Sequence, residues 1–151
     1  MSIDEQYDKL YRYCFFKLHN RDLAEDVTQE TFLHYLERYG NLPEEAALKC
    51  LYTIARNLCV DEYRRGKREM TDELPPEEAE EYDTLTRIAL CAALEKLEES
   101  ERELLLLRYV NELSASTIGS ILGISRFAAY RKVTSASKKF QAELKKEDIY
   151  E

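Results

Sequence analysis

The chain has no tryptophan and only four glycines, three prolines and two histidines in 151 residues. Few breakers and few β-branched runs exclude a turn-rich β-sandwich or barrel, so an almost entirely helical protein is expected. His34 has no Cys or Asp partner, His19 reads as a helix-end cap, and Cys14, Cys50, Cys59 and Cys91 form no Cys-x-x-Cys pair and have no nearby His at zinc-ligand spacing. A metal site is therefore not expected, and buried free thiols in a reducing compartment read more simply than two disulfides. Long apolar runs are also missing: Leu104–Leu107 is four residues, against the roughly 20 that a membrane span needs. The start, Met-Ser-Ile-Asp-Glu, lacks the basic opening and apolar core of a secretory signal. A cytoplasmic protein with no direct membrane insertion is expected. There is no phosphate loop, no His-Glu-x-x-His and no nucleophile motif, so neither an enzyme nor a cofactor-binding protein is expected.

What is present is charge, unevenly placed. The formal net charge of −8 speaks against a nucleic-acid binder until it is divided along the chain. Residues 1–67 carry 10 basic and 12 acidic side chains, and residues 85–151 carry 11 and 10. Between them, residues 68–84 carry one basic and eight acidic side chains, with Pro75-Pro76 and no periodic apolar face. That segment reads as an acidic linker between two small domains. Fully extended, its 17 residues would reach roughly 55–60 Å, enough to hold two domains on separate sites.

Before the linker, three helices are expected. The first covers 3–19, with Ile3, Tyr7, Leu10, Tyr11, Cys14, Phe15 and Leu18 on one face and His19-Asn20 closing it. A second, started by Asp22 and running from Leu23 to about Tyr39, places Val27, Thr31, Tyr35 and Leu36 inward. Its opening acids suit a helix N-terminus, but Glu25, Asp26, Gln29 and Glu30 also make a surface suited to a basic protein. After a turn at Gly40-Asn41-Leu42-Pro43, the third helix runs from Glu44 to about Lys67.

The third helix contains the most distinctive stretch, Leu51 to Arg65. Leu51, Ile54, Ala55 and Leu58 define its inward stripe, while Tyr52, Arg56, Asn57, Tyr63, Arg64 and Arg65 fall mostly off it. Guanidinium, amide and phenol groups on one exposed face suit phosphate pairing, base-edge reading and stacking on an unpaired base. Taken alone, the stretch reads more simply as a solvated helix with a basic C-terminal cap.

After the linker, Ile88, Cys91, Ala92, Glu95 and Leu97 sit near one helical face, and Ser100 with Glu103 fits a capping box for a helix from Glu101 to Tyr109. Ser114 to Leu122, a break at Gly123-Ile124-Ser125, and a helix from Arg126 to about Leu144 match a helix-turn-helix. Ile118, Leu122, Ala129 and Val133 would face inward, Gly119 would allow close packing, and Ser125 would cap the second helix. Arg126, Phe127, Tyr130, Arg131 and Thr134 would then face outward where recognition helices meet base edges. Residues 126–146 hold seven basic side chains and one acidic, the electrostatic footprint that the whole-chain charge conceals. The alternative is a packing hairpin with a basic face.

Three segments together resemble a known family. They are Asp22-Leu-Ala-Glu-Asp-Val-Thr-Gln-Glu-Thr-Phe32, then Leu51-Tyr-Thr-Ile-Ala-Arg-Asn57 with Asp61 and Tyr63-Arg-Arg65, then the late helix-turn-helix. They resemble bacterial RNA polymerase sigma factors of the short extracytoplasmic-function (ECF) type, which keep only sigma domains two and four. The resemblance implies an all-α fold of two helical domains: region 2 over residues 1–67, the acidic linker over 68–84, and region 4 over 85–151. It implies that Asp26, Gln29, Glu30 and Phe32 bind the clamp helices of the polymerase β′ subunit. Tyr52, Arg56, Asn57, Asp61, Tyr63 and Arg64 match the part that opens and reads the minus-ten promoter element. Ser125, Arg126, Phe127, Tyr130, Arg131, Lys132 and Thr134 match the part that reads the minus-thirty-five element.

Core RNA polymerase (β′ and β subunits), promoter DNA and an anti-sigma factor are the implied partners, and the linker is implied to cross the polymerase towards its RNA path. A sigma-like regulator that reads DNA without supporting initiation is the alternative. The chain also departs from the family pattern. Cys50 stands where Trp is usual, and Thr117, Gly119 and Ala128-Ala129 replace Glu, Ala and Thr-Val. Ser135 and Ser137 stand where Arg is common, which predicts fewer phosphate contacts unless Lys132, Lys138 and Lys139 compensate.

Overall fold

Seven α-helices organise the described residues, 3–65 and 84–146, of the computed structural model. The chain divides into two compact units, one within residues 1–73 and one within 74–151. The expected linker, 68–84, lies outside the described residues except for Thr84, the first residue of the fourth helix.

The first unit is a bundle of α1 (Ile3–Leu18), α2 (Arg21–Arg38) and α3 (Glu44–Arg65), each packed on the other two. His19, at φ 53°, ends α1, with its N–H donating to the Phe15 carbonyl at 2.7 Å. Asn20, rather than Asp22, caps α2: its Oδ1 accepts from the Leu23 N–H at 3.0 Å. An Asn at that position satisfies one of the orphan amides of the first turn, so the helix starts two residues before the expected Leu23. Gly40, at φ 71°, allows the turn into α3 that the breakers predict.

Leu10, Tyr13, Cys14 and Leu18 from α1 fill the core with Ala24, Val27, Thr28 and Thr31 from α2. Burying the two threonines costs little, because their hydroxyls donate to the Ala24 and Val27 carbonyls at 2.6 and 2.7 Å. The α3 stripe differs from expectation. Ala47, Leu51, Tyr52, Ala55 and Cys59 are buried, while Ile54 and Leu58 are only half-buried. At 100° per residue the inward stripe is turned by roughly 45° from the expected one. Small side chains at 47, 55 and 59 leave volume that the rings of Tyr13 and Tyr52 occupy, edge to face with centroids 5.5 Å apart. Leu36, expected inside, is exposed.

In the second unit α4 (Thr84–Glu95), α5 (Glu99–Leu105) and α6 (Ala115–Leu122) all pack on the long α7 (Arg126–Lys146). Ala89 and Ala93 form the inward line of α4, continued by Leu97 in the turn after it, whereas Ile88 and Cys91 are exposed and Ala92 is half-buried. Alanines at 89 and 93 let α7 approach, and that approach sets the phase of the helix rather than the larger Ile88. The exposed thiol at Cys91 and the half-buried one at Cys50 depart from the expectation of buried cysteines; Cys14 and Cys59 are buried and all four are free.

The capping box of α5 is formed by Glu98 and Glu101, not by Ser100 and Glu103. Glu103 is buried. The Glu98 N–H donates to the Glu101 carboxylate at 2.8 Å, and Lys139 of α7 reaches the same carboxylate at 3.2 Å. The Glu98 amide is the main cause that holds the Glu101 carboxyl below its usual range; burial opposes it, and Lys139 adds to the lowering. Arg102 ties α5 to the end of α4 and the turn after it by donating to the carbonyls of Leu94 and Leu97 at 3.1 and 2.7 Å; the Leu94 carbonyl also accepts from the Leu97 N–H at 3.0 Å. The helix expected to run to Tyr109 widens into a π-turn at Leu106–Val110, closed by the Asn111 N–H on the Leu106 carbonyl at 2.9 Å. Leu104 and Leu107, three residues apart and so on one helical face, are both buried.

Candidate nucleic-acid interface

Three faces carry the candidate residues, two on the first unit and one on the second. On α2, Asp26, Gln29 and Glu30 are exposed, and Leu33, Leu36 and Glu37 join them on the same side. These positions lie within roughly a third of the helix circumference. His34 borders them, with its Nε2 3.7 Å from the Glu30 carboxylate. Two exposed leucines ringed by carboxylates suit a protein surface carrying basic and apolar groups, and repel phosphate. Phe32 is not part of this face. It is buried and stacked on Tyr7 with centroids 5.7 Å apart, because one step along the helix from Thr31 still points into the bundle.

On α3, Asn57, Asp61, Tyr63 and Arg64 are exposed and Arg56 is half-buried, with exposed Val60 among them. Tyr52, expected in this set, is 1% exposed and belongs to the core. The face that remains is amide, guanidinium and phenol near the C-terminal end of the helix, with Arg65 held beside it by Glu62 at 2.8 Å. Its donors match phosphate and base edges, and Tyr63 presents an exposed ring for stacking.

The helix-turn-helix of the second unit follows local backbone rules throughout. Ser114 caps α6 by accepting from the Thr117 N–H at 3.1 Å, and Gly123 closes it at φ 76°. A Cβ on Gly119 would stand 2.7 Å from the Ile124 carbonyl oxygen, so only glycine lets the turn fold this closely over α6. The Ile124 N–H donates to the Gly119 carbonyl at 2.9 Å. Ile118 and Ile121 are buried and Leu122 half-buried, so Ile121 takes part of the inward role expected of Leu122. Ser125 caps α7, its Oγ accepting from the Ala128 N–H at 3.0 Å. Ala129 and Val133 face inward, while Arg126, Phe127, Tyr130, Arg131 and Lys132 are exposed and Thr134 is half-buried. The arrangement presents the first turns of α7 outward, with cations and aromatic rings on one side.

Family models for Sigma-70 region 2 and Sigma-70 region 4 match residues 3–69 and 87–140. EcfG, an ECF RNA polymerase sigma factor of Rhodopseudomonas palustris, is 30% identical over 82% of this chain and 72% of its own length. The chain belongs to the ECF sigma factors. BldN of Streptomyces coelicolor, also an ECF RNA polymerase sigma factor, is 31% identical over 80% of the chain, which spans half of BldN's length. The RNA polymerase sigma factor YlaC of Bacillus subtilis is 29% identical over 94% of the chain and 87% of YlaC. The fold is shared with the sigma factor RpoE from Bartonella quintana, solved in complex with the anti-sigma factor NepR. The TM-score is 0.67 at 21% identity, covering 92% of this chain and 91% of that one.

Within this sigma factor, the sequence motifs locate the outward positions of α2, α3 and α7 but include two core residues, Phe32 and Tyr52. Leu33 and Val60 were missed, because a single apolar residue outside the inward stripe carries no signal of its own. Of the three lysines expected to offset Ser135 and Ser137, Lys139 also pairs with Glu101 at 3.2 Å, and Lys132 and Lys138 are exposed. The Ser125 cap gives a direct stability test. Ser125→Ala should lower the stability of the second unit by about 1 kcal/mol, measured as a shift of its urea midpoint at unchanged slope.

Proposed function

We propose that this sigma factor binds core RNA polymerase through the outer face of α2 and directs it to a small set of promoters in the cytoplasm. Residues 1–67 provide polymerase binding and minus-ten recognition, residues 85–151 provide minus-thirty-five recognition, and 68–84 links them. Asp26, Gln29 and Glu30 meet the β′ clamp helices. Arg56, Asn57, Asp61, Tyr63 and Arg64 open and read the minus-ten element, and Ser125 with the outward residues of α7 reads the upstream element. The chain acts by binding, with no reaction of its own, and an anti-sigma protein is its restraining partner.

One observation carries the reading. The exposed residues of the family motifs segregate into an acidic and apolar face on α2 and an amide, cationic and aromatic face on α3. The first chemistry fits a protein partner and the second fits DNA.

The test mixes the full chain with bacterial core RNA polymerase and sequences the transcripts started on genomic DNA. Discrete starts sharing two upstream elements are the expected result. Asn57→Ala should reduce those starts by about tenfold, the loss of one base-edge contact, without changing the melting curve, because Asn57 is exposed. Polymerase binding without starts would instead establish a sigma-like regulator, and no binding would overturn the proposal.

A further inference from the structure

The leading turns of α7 carry a feature that phosphate binding and helix-turn-helix geometry leave unused. Phe127 and Tyr130 are 64% and 65% exposed, three residues apart on the outward side. Exposing two aromatic rings on one helix face forgoes their burial, while Ala129 and Val133 are the residues of these turns that face the core. The Arg126 guanidinium lies over the Phe127 ring, 4.9 Å from its centroid, so the ring and the cation are presented together. Seven basic side chains between 126 and 146 bring the helix to a polyanion, but they do not distinguish one sequence from another.

Resting on the reading of α7 as the upstream-element helix, we infer that Phe127 and Tyr130 read thymine by apolar contact with its C5 methyl group. The major groove admits an α-helix, and thymine is the one base that displays a methyl there. A phenyl ring has no hydrogen-bonding group, so against the groove floor its favourable partner is that methyl. The Tyr130 ring makes the same contact, while its hydroxyl stays solvated or meets an acceptor, as amphipathic rings do at wet interfaces. The upstream element of this chain therefore contains thymine where α7 enters the groove. Removing its methyls weakens binding by about fourfold for each methyl buried.

The experiment assembles the full chain with bacterial core RNA polymerase and selects tight binders from a randomised duplex library. Each thymine of the upstream element in the winning duplex is then replaced singly by deoxyuridine, which removes the methyl alone. Affinity is measured for the natural chain, Phe127→Ala and Tyr130→Ala. The expected result is one or two thymines whose replacement costs the natural chain about fourfold and costs the matching alanine variant nothing, a coupling within a double-mutant cycle. Both side chains are exposed, so the variants should keep the natural melting curve, and the deoxyuridine series on the natural chain does not depend on them. Three outcomes overturn the inference: deoxyuridine without effect at every position, an equal penalty in all three proteins, or an upstream element without thymine. A duplex selected only through its minus-ten part would show that α7 does not read DNA at all. Failure to form a complex with core polymerase would remove the functional reading itself.

Discussion

Tyr52→Ala should destabilise the first unit by about 3–5 kcal/mol, the range for deleting a large buried ring. Tyr52 and Tyr13 are 1% and 0% exposed and meet edge to face with centroids 5.5 Å apart. Their neighbours along α3, Ala47, Ala55 and Cys59, are too small to close the space that the deletion leaves. A loss of that size is a large fraction of the stability of a domain of this length. Urea unfolding of the full chain followed by circular dichroism should show an early transition for the first unit, with the second unit melting as before. Tyr52→Phe keeps the ring and should cost no more than about 1.5 kcal/mol, the value of one hydrogen bond. The family motif places Tyr52 among residues that handle promoter DNA. A native melting curve for Tyr52→Ala together with a selective loss of promoter opening would support that role and reject the packing role.

Tyrosine is where the sequence is least informative. With 11 tyrosines, five phenylalanines and no tryptophan, α1, α2, α3 and α7 each carry two or more aromatic residues, and a phenol is equally at home inside or out. Tyr13, Tyr35 and Tyr52 are buried, while Tyr63, Tyr109 and Tyr130 are exposed. Nothing local separates the two groups; the partner helix does. The same holds for α4, where Ala89 and Ala93 face α7 and the larger Ile88 does not. Periodicity finds the period, but interhelix approach distance sets the phase.

Features fixed by backbone chemistry were legible. Gly123 at φ 76°, Gly119 under the Ile124 carbonyl and Ser125 on the Ala128 N–H each follow from a rule about one residue type in one conformation. Caps failed where two candidates competed. Ser100 and Asp22 are good cap residues, yet Glu98 and Asn20 occupy the positions where the chain actually turns. The turn after buried Leu97 is set by packing, and the cap follows the turn.

Asp26→Lys combined with Glu30→Lys should abolish transcription initiation while leaving the fold intact. Both carboxylates are on the outer face of α2 and contribute nothing to the core, which is filled from the opposite side by Ala24, Val27, Thr28 and Thr31. Glu30 has one neighbour to lose, His34 at 3.7 Å across the helix surface, an exposed i,i+4 contact worth a few tenths of a kcal/mol at most. The melting curve should therefore stay close to that of the natural chain. At a docking face the change is far larger, because each reversal replaces an attraction with a repulsion. Like charges brought together in an interface cost several kcal/mol, roughly 100-fold or more in affinity. Gel filtration with core polymerase should show the variant eluting free at concentrations where the natural chain co-elutes, with no promoter-specific transcripts. Leu33→Ala, on the same face, should weaken binding by a smaller amount that does not vary with salt, since it removes apolar contact rather than charge. Wild-type affinity for core polymerase in the doubly reversed variant would move the polymerase contact away from α2. The acids of its first turns would then be left with only their helix-start role.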